Sequence, residues 1–169
     1  MSPRLSRRIV LAFIAATAAL PMPADAQSLS LGQRRGIATY EADILPGLIA
    51  RLSEAAGKAI PVEIDYPAIA VPEINVAYTD PTVWTDIYFE PLIAAFAAVA
   101  ADAMGREAVA AGVTGIRLTY DPRTAPLSNY PEGLRFEDGV LTLNFRPYAN
   151  PFDIDDRAKA IRALLESRL

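Results

Sequence analysis

The dipeptide Asp138-Gly139, with apolar residues alternating on either side of it, constrains this chain's fold more tightly than any other feature. Asp-Gly favours a type I′ turn, in which both central residues take positive φ and the backbone twist matches that of the flanking strands. A two-residue loop places Glu137 opposite Val140, Phe136 opposite Leu141 and Leu134 opposite Leu143. Because side chains alternate with a period of two, that register gathers Leu134, Phe136, Leu141, Leu143 and Phe145 on one face. Arg135, Thr142, Asn144 and Arg146 fall on the other. The hairpin therefore belongs to a sheet with one dry side and one wet side.

Two further stretches alternate in the same way. In residues 60–66, Val62, Ile64 and Tyr66 oppose Glu63 and Asp65; in residues 115–120, Ile116, Leu118 and Tyr120 oppose Arg117 and Thr119. Residues 74–79 repeat the pattern more weakly. Between these strands the spacing becomes helical. Ile44, Leu45, Leu48, Ile49 and Leu52 lead to Gly57, a natural left-handed terminator, with Pro46 placed where a helix start tolerates it. Asp80-Pro81 reads as a cap and first-turn proline for a second helix. Its stripe runs through Trp84, Ile87, Tyr88, Leu92, Phe96 and Val99, and Pro91 predicts a kink or break within it. Gly105 and Gly112 mark the end of that helical region, with room for one more turn between them. A last amphipathic helix begins near Ile154, capped by Asp153, with Ile161, Leu164 and Leu165 inward. The order predicts an α+β domain: an antiparallel sheet of three to five strands with helices packed on one face.

Composition decides where such a domain works. Arg4, Arg7 and Arg8 precede an apolar stretch over residues 9–20, and Ala24-Asp25-Ala26 has the form of a signal-peptidase site. The apolar stretch is shorter than the roughly 20 residues of a bilayer span. Residues 1–26 are expected to be a signal peptide, 27–36 a flexible leader, and 37–169 a single domain. The expected location is periplasmic or secreted, with no stable membrane insertion after cleavage. Residues 1–26 carry three arginines and one aspartate, so their loss takes the net charge from −4 to −6. An acidic domain has no global attraction for nucleic acid.

Two residue types are missing altogether. With no cysteine, the core needs no disulfide and a lipid anchor has no attachment site. With no histidine either, the chain alone cannot build a Ser-His-Asp or Cys-His nucleophile, a His-bearing zinc site, or imidazole or thiolate haem ligation. It has no glycine-rich phosphate loop, and Lys58 and Lys159, its only lysines, lie in no Ser-x-x-Lys pattern. No cofactor is expected.

Three constellations remain. Arg117, Arg135 and Arg146 would share the wet sheet face, joined by Glu63 and Asp65 if the first strand enters the same sheet. Guanidinium groups there suit a carboxylate or phosphate, and they equally suit cross-strand ion pairing on a solvated surface. Asp80, Asp86 and Glu90 lie beside Trp84 and Tyr88, and Asp86 and Glu90 are four residues apart. Paired carboxylates beside aromatic rings fit acid–base hydrolysis of a sugar chain. The competing reading makes Asp80 a cap, Asp86 and Glu90 partners of the helix dipole, and the two rings core. Asp153, Asp155 and Asp156 suit first-turn acids and lack the glycine-punctuated loop of a calcium site, so no metal site is expected.

The run Asp102-Ala-Met-Gly105-Arg106-Glu107-Ala108, a following strand, and then Phe136-Glu-Asp138-Gly139-Val-Leu141 resemble segments of uncharacterised secreted bacterial proteins. The resemblance implies a shared exported α+β domain and carries no activity or site residue. The expected function is a non-catalytic periplasmic domain that binds an unknown protein or envelope component, with Arg117, Arg135, Arg146, Glu63, Asp65, Trp84 and Tyr88 as candidate contacts. The alternative is a carboxylate-dependent hydrolase of cell-wall glycan that uses Asp80, Asp86 or Glu90.

Overall fold

The computed structural model describes residues 29–71 and 82–169. The expected signal peptide, the extended run at 74–79 and the cap at Asp80 lie outside the described residues. The described chain is α+β. Helices α1 (Leu31–Asp43) and α2 (Leu45–Ala56) come first, followed by strand β1 (Val62–Ile64) and the single turn α3 (Tyr66–Ile69). A turn of helix, α4 (Thr82–Trp84), runs through a π-helical stretch (Thr85–Phe89) into α5 (Glu90–Val99), and α6 (Ala103–Gly112) follows. Strand β2 (Gly115–Thr119), a 3₁₀ turn (Tyr130–Gly133), the hairpin β3 (Leu134–Glu137) and β4 (Val140–Asn144), and helix α7 (Ile154–Arg168) complete it.

The hairpin has the register its turn dictates, with Asp138 at φ 51° and Gly139 at φ 79°. The sheet around it is not antiparallel. Its order is β1-β2-β4-β3, and both β1–β2 and β2–β4 pair in parallel. Alternation fixes which side chains face the core but carries no information on strand direction. Here helices α3 to α6 form the long connection that a parallel return from β1 to β2 requires. Strand β3 then takes the outer position, which leaves β4 beside β2.

The apolar face of the sheet and the helices share one core. Ile116, Leu118, Leu141, Leu143 and Phe145 are buried together with Leu52 of α2, Leu92 and Phe96 of α5, and Ile161 and Leu165 of α7. The expected stripe along α4 and α5 is buried from Trp84 to Phe96.

The helices differ from expectation at three places. Residues 31–36, expected as leader, form the first turns of α1, where Ser30 and Gln33 make a capping box. Around Pro91 the backbone widens instead of kinking. The Glu90 N–H donates to the Thr85 carbonyl five residues back, and Pro91 occupies the first turn of α5. An ordinary helix would drive the proline ring into a carbonyl of the preceding turn, and a π-turn moves that carbonyl aside. Beyond α5, the expected extra turn is the ten-residue helix α6. Asp102 Oδ1 accepts from the Gly105 N–H at 2.8 Å, and Arg106 Nη1 donates to the carbonyls of Ala100 and Ala101. Gly105 permits this corner because a Cβ there would strike the Val99 carbonyl.

Candidate functional site

The wet face of the sheet exists and includes β1. Glu63, Arg117, Thr142 and Arg135 lie in one cross-strand row, since Glu63 is in register with Arg117, Arg117 with Thr142, and Thr142 with Arg135. The arginines nevertheless point to three different tasks. Arg117 donates from Nε and Nη2 to Glu63 Oε2, at 3.1 and 2.9 Å. Arg135 folds back on its own strand and donates from Nη1 to the carbonyls of Leu134 and Glu132. Arg146 lies beyond β4 and donates from Nε to the Ala125 carbonyl. Asp65 accepts from the Thr119 hydroxyl and from the Ala68 N–H, which makes it the cap of α3. The three guanidinium groups therefore form no common anion site.

The second constellation is divided by burial. Trp84 is 2% exposed, packed edge-on against Tyr40 and tilted against Tyr66. Tyr88 is wholly buried and donates to the Phe145 carbonyl at 2.8 Å. Neither ring can stack on a sugar or touch a partner. Burial raises the Tyr88 hydroxyl well above the usual phenolic range. Glu90 accepts a two-pronged ion pair from Arg51, at 2.6 and 2.8 Å, which ties α5 to α2. Asp86, in the π-helical stretch, lies close enough to Tyr40 to push that hydroxyl upward, although burial is the larger cause. This is the geometry of a helix junction.

The carboxyl ends of the three parallel strands present a different arrangement, and in open sheets ligands commonly bind at that edge. Two loops meet there: residues 120–129, after β2, and residues 145–153, after β4. Arg146 joins them through its bond to Ala125, and the Tyr120 and Tyr148 hydroxyls meet at 2.8 Å. Beneath them Arg157 of α7 is completely buried. Its Nη2 donates to the Asn150 carbonyl at 2.6 Å and to the Tyr130 hydroxyl at 3.3 Å, and its guanidinium carbon stands 4.7 Å from the centre of the Tyr130 ring. Its Nε and Nη1 have no acceptor among the described residues. The Tyr130 hydroxyl donates to Asp153 Oδ2 at 2.6 Å, and Asn150 Nδ2 donates to Asp153 Oδ1. Asp153, expected as a side-chain cap for α7, thus spends its carboxylate on the loop and caps no N–H group.

These bonds hold loops that display large apolar side chains to solvent. Phe152 is 89% exposed, Leu127 74% and Tyr148 47%. Sequence periodicity could not locate them, because they lie between the elements that periodicity describes. The available signal was local: prolines at 122, 126, 147 and 151 mark stiff loops, and an apolar residue in a stiff loop has no core-facing pattern to satisfy.

Among the described residues no group of three or more acidic, histidine or cysteine side chains is placed to hold a metal ion. No described helix is long and apolar enough to cross a membrane. No known protein family matches the sequence, and neither a curated protein nor a solved structure matches it.

Proposed function

We propose that this chain is an exported, non-catalytic domain that binds a protein of the bacterial envelope through the loops at the carboxyl edge of its sheet. The observation that carries this reading is the exposure of Phe152, Leu127 and Tyr148 on loops fastened by half-buried polar bonds. Burying an exposed phenylalanine against a partner removes apolar surface from water and is favourable, and three large apolar side chains on loops at one edge suit such a contact. Fastened loops lose little entropy on docking, and aromatic residues with arginine nearby are the residue types enriched in binding hot spots. Export is supported by the basic, apolar and Ala-x-Ala pattern of residues 1–26. The buried rings of Trp84 and Tyr88 and the engaged Glu90 weigh against the glycan hydrolase.

The test is photo-crosslinking in intact envelopes. A photoreactive residue replaces Phe152, Leu127 or, as a control, Met104, which is 77% exposed on α6. The same discrete adduct is expected from positions 152 and 127 and not from 104. Failure of either loop position to crosslink, or equal adducts from all three, would reject the loop surface.

A further inference from the structure

The two edges of the sheet are finished differently. In a two-residue hairpin the closing pair, Glu137 and Val140, exchanges hydrogen bonds, so the backbone groups of Phe136 and Leu134 on β3 point outward. Arg135 Nη1 covers the outward Leu134 carbonyl at 2.8 Å and the Glu132 carbonyl just before it. With the Leu134 N–H bonded to the Pro131 carbonyl, only the Phe136 N–H and C=O remain as outward groups on that edge.

At the opposite edge, the Ile116 N–H donates to the Pro61 carbonyl and the Asp65 N–H to the Leu118 carbonyl, both at 2.9 Å. The backbone of Pro61 and Asp65, and of Glu63 between them, faces β2, so the N–H and C=O groups of Val62 and Ile64 face away from the sheet. Among the described residues none pairs with those four groups. The Val62 and Ile64 side chains are half-buried, so the apolar layer is incomplete along this edge, and Glu63 and Asp65 stand on the wet side.

We propose that the outer edge of β1 accepts an extended segment of a partner protein in which apolar residues alternate with lysine or arginine. The inference goes beyond the loop surface and does not depend on it. An added strand would satisfy the four outward backbone groups and set its apolar residues beside Val62 and Ile64. Its basic residues would lie across from Asp65 and from Glu63, whose Oε2 is held by Arg117 while its Oε1 has no partner among the described residues, and there opposite charges attract and like charges repel. The same acids disfavour pairing with a second copy, since edge-to-edge contact would bring Glu63 against Glu63.

The probe is a short capped peptide that alternates valine and lysine, titrated into isotope-labelled protein lacking residues 1–26 and followed by amide NMR. The Val62 and Ile64 amides should shift in a saturable way. A valine–glutamate peptide should bind about tenfold more weakly, and Glu63→Lys should reverse the order of the two peptides. Methylating alternate peptide nitrogens on the pairing side should abolish binding. Three outcomes would overturn the proposal: no shifts at Val62 and Ile64, undiminished binding of the methylated peptide, or concentration-dependent dimerisation of the free protein through this edge.

Discussion

Arg157 shows how a single residue serves both core and surface. Its guanidinium is enclosed, and desolvation lowers its proton affinity while Tyr130 and Asp153 oppose that shift. Among the described residues it makes two hydrogen bonds and leaves Nε and Nη1 without an acceptor. Each buried donor left unmet costs about 1–3 kcal/mol, which offsets much of what the two bonds contribute. Replacement by an apolar residue of similar length should therefore be mild. Arg157→Met is expected to cost less than about 1.5 kcal/mol, and Arg157→Ala, which also opens a cavity, about 3 kcal/mol or more. Urea denaturation of both variants measures the difference. Equal losses would mean that the charge, and not the volume, stabilises the loops. Its place four residues before Ile161 and eight before Leu165 puts it on the inward stripe of α7, a signal that its charged head group obscures.

Among the elements, α1 carries two competing signals at its start. Ser30 and Gln33 have the spacing of a capping box, yet the adjacent Arg34 and Arg35 suggest a solvated leader. In the structure Ser30 Oγ accepts from the Gln33 N–H, and Gln33 Oε1 accepts from the Ser30 N–H at 2.6 Å. Gln33 Nε2 also donates to the Ala70 carbonyl, fixing α1 to the end of α3. Ser30→Ala should cost about 1 kcal/mol. Gln33→Ala, which loses the same box and the tether, should cost about 2 kcal/mol. Hydrogen exchange across α1 reports both, and Ser30→Ala should not exceed Gln33→Ala. The β3–β4 hairpin is the opposite case. Its register and both its faces were legible because the turn geometry and the alternation coincide at Asp138-Gly139. The neighbours of β4 were not, since β1 and β2 join it through long connections that no local pattern constrains. The candidate site follows the same division. The wet face carrying Arg117 and Arg135 was readable from alternation, but which acceptors their guanidinium groups reach depends on tertiary placement.

For the whole molecule, the most testable electrostatic property is its response to alkali. Burial pushes Tyr40 up to about 12 from 10.0, and burial together with the bond to Asp153 takes Tyr130 to about 12. Tyr66 and Tyr88 shift in the same direction, again chiefly through burial. In each case the folded protein keeps a proton that the unfolded chain releases near 10, so this contribution to stability is intact below that pH and declines above it. Each such tyrosine should lower stability as the pH rises from about 10 towards 12, by at most about 1.4 kcal/mol per pH unit and by less where the hydroxyl is only partly enclosed. Tyr88→Phe should make the decline shallower. Unfolding midpoints recorded across that interval would show the slope, and a flat profile would contradict the burial of these rings.

The arginine folded over the Leu134 carbonyl has a consequence for assembly. Copies of this chain can stack into a fibre only if each one presents a pairing edge at both ends of its sheet. With the Leu134 carbonyl taken by Arg135, the β3 end offers only the Phe136 backbone, so open-ended stacking of copies is disfavoured.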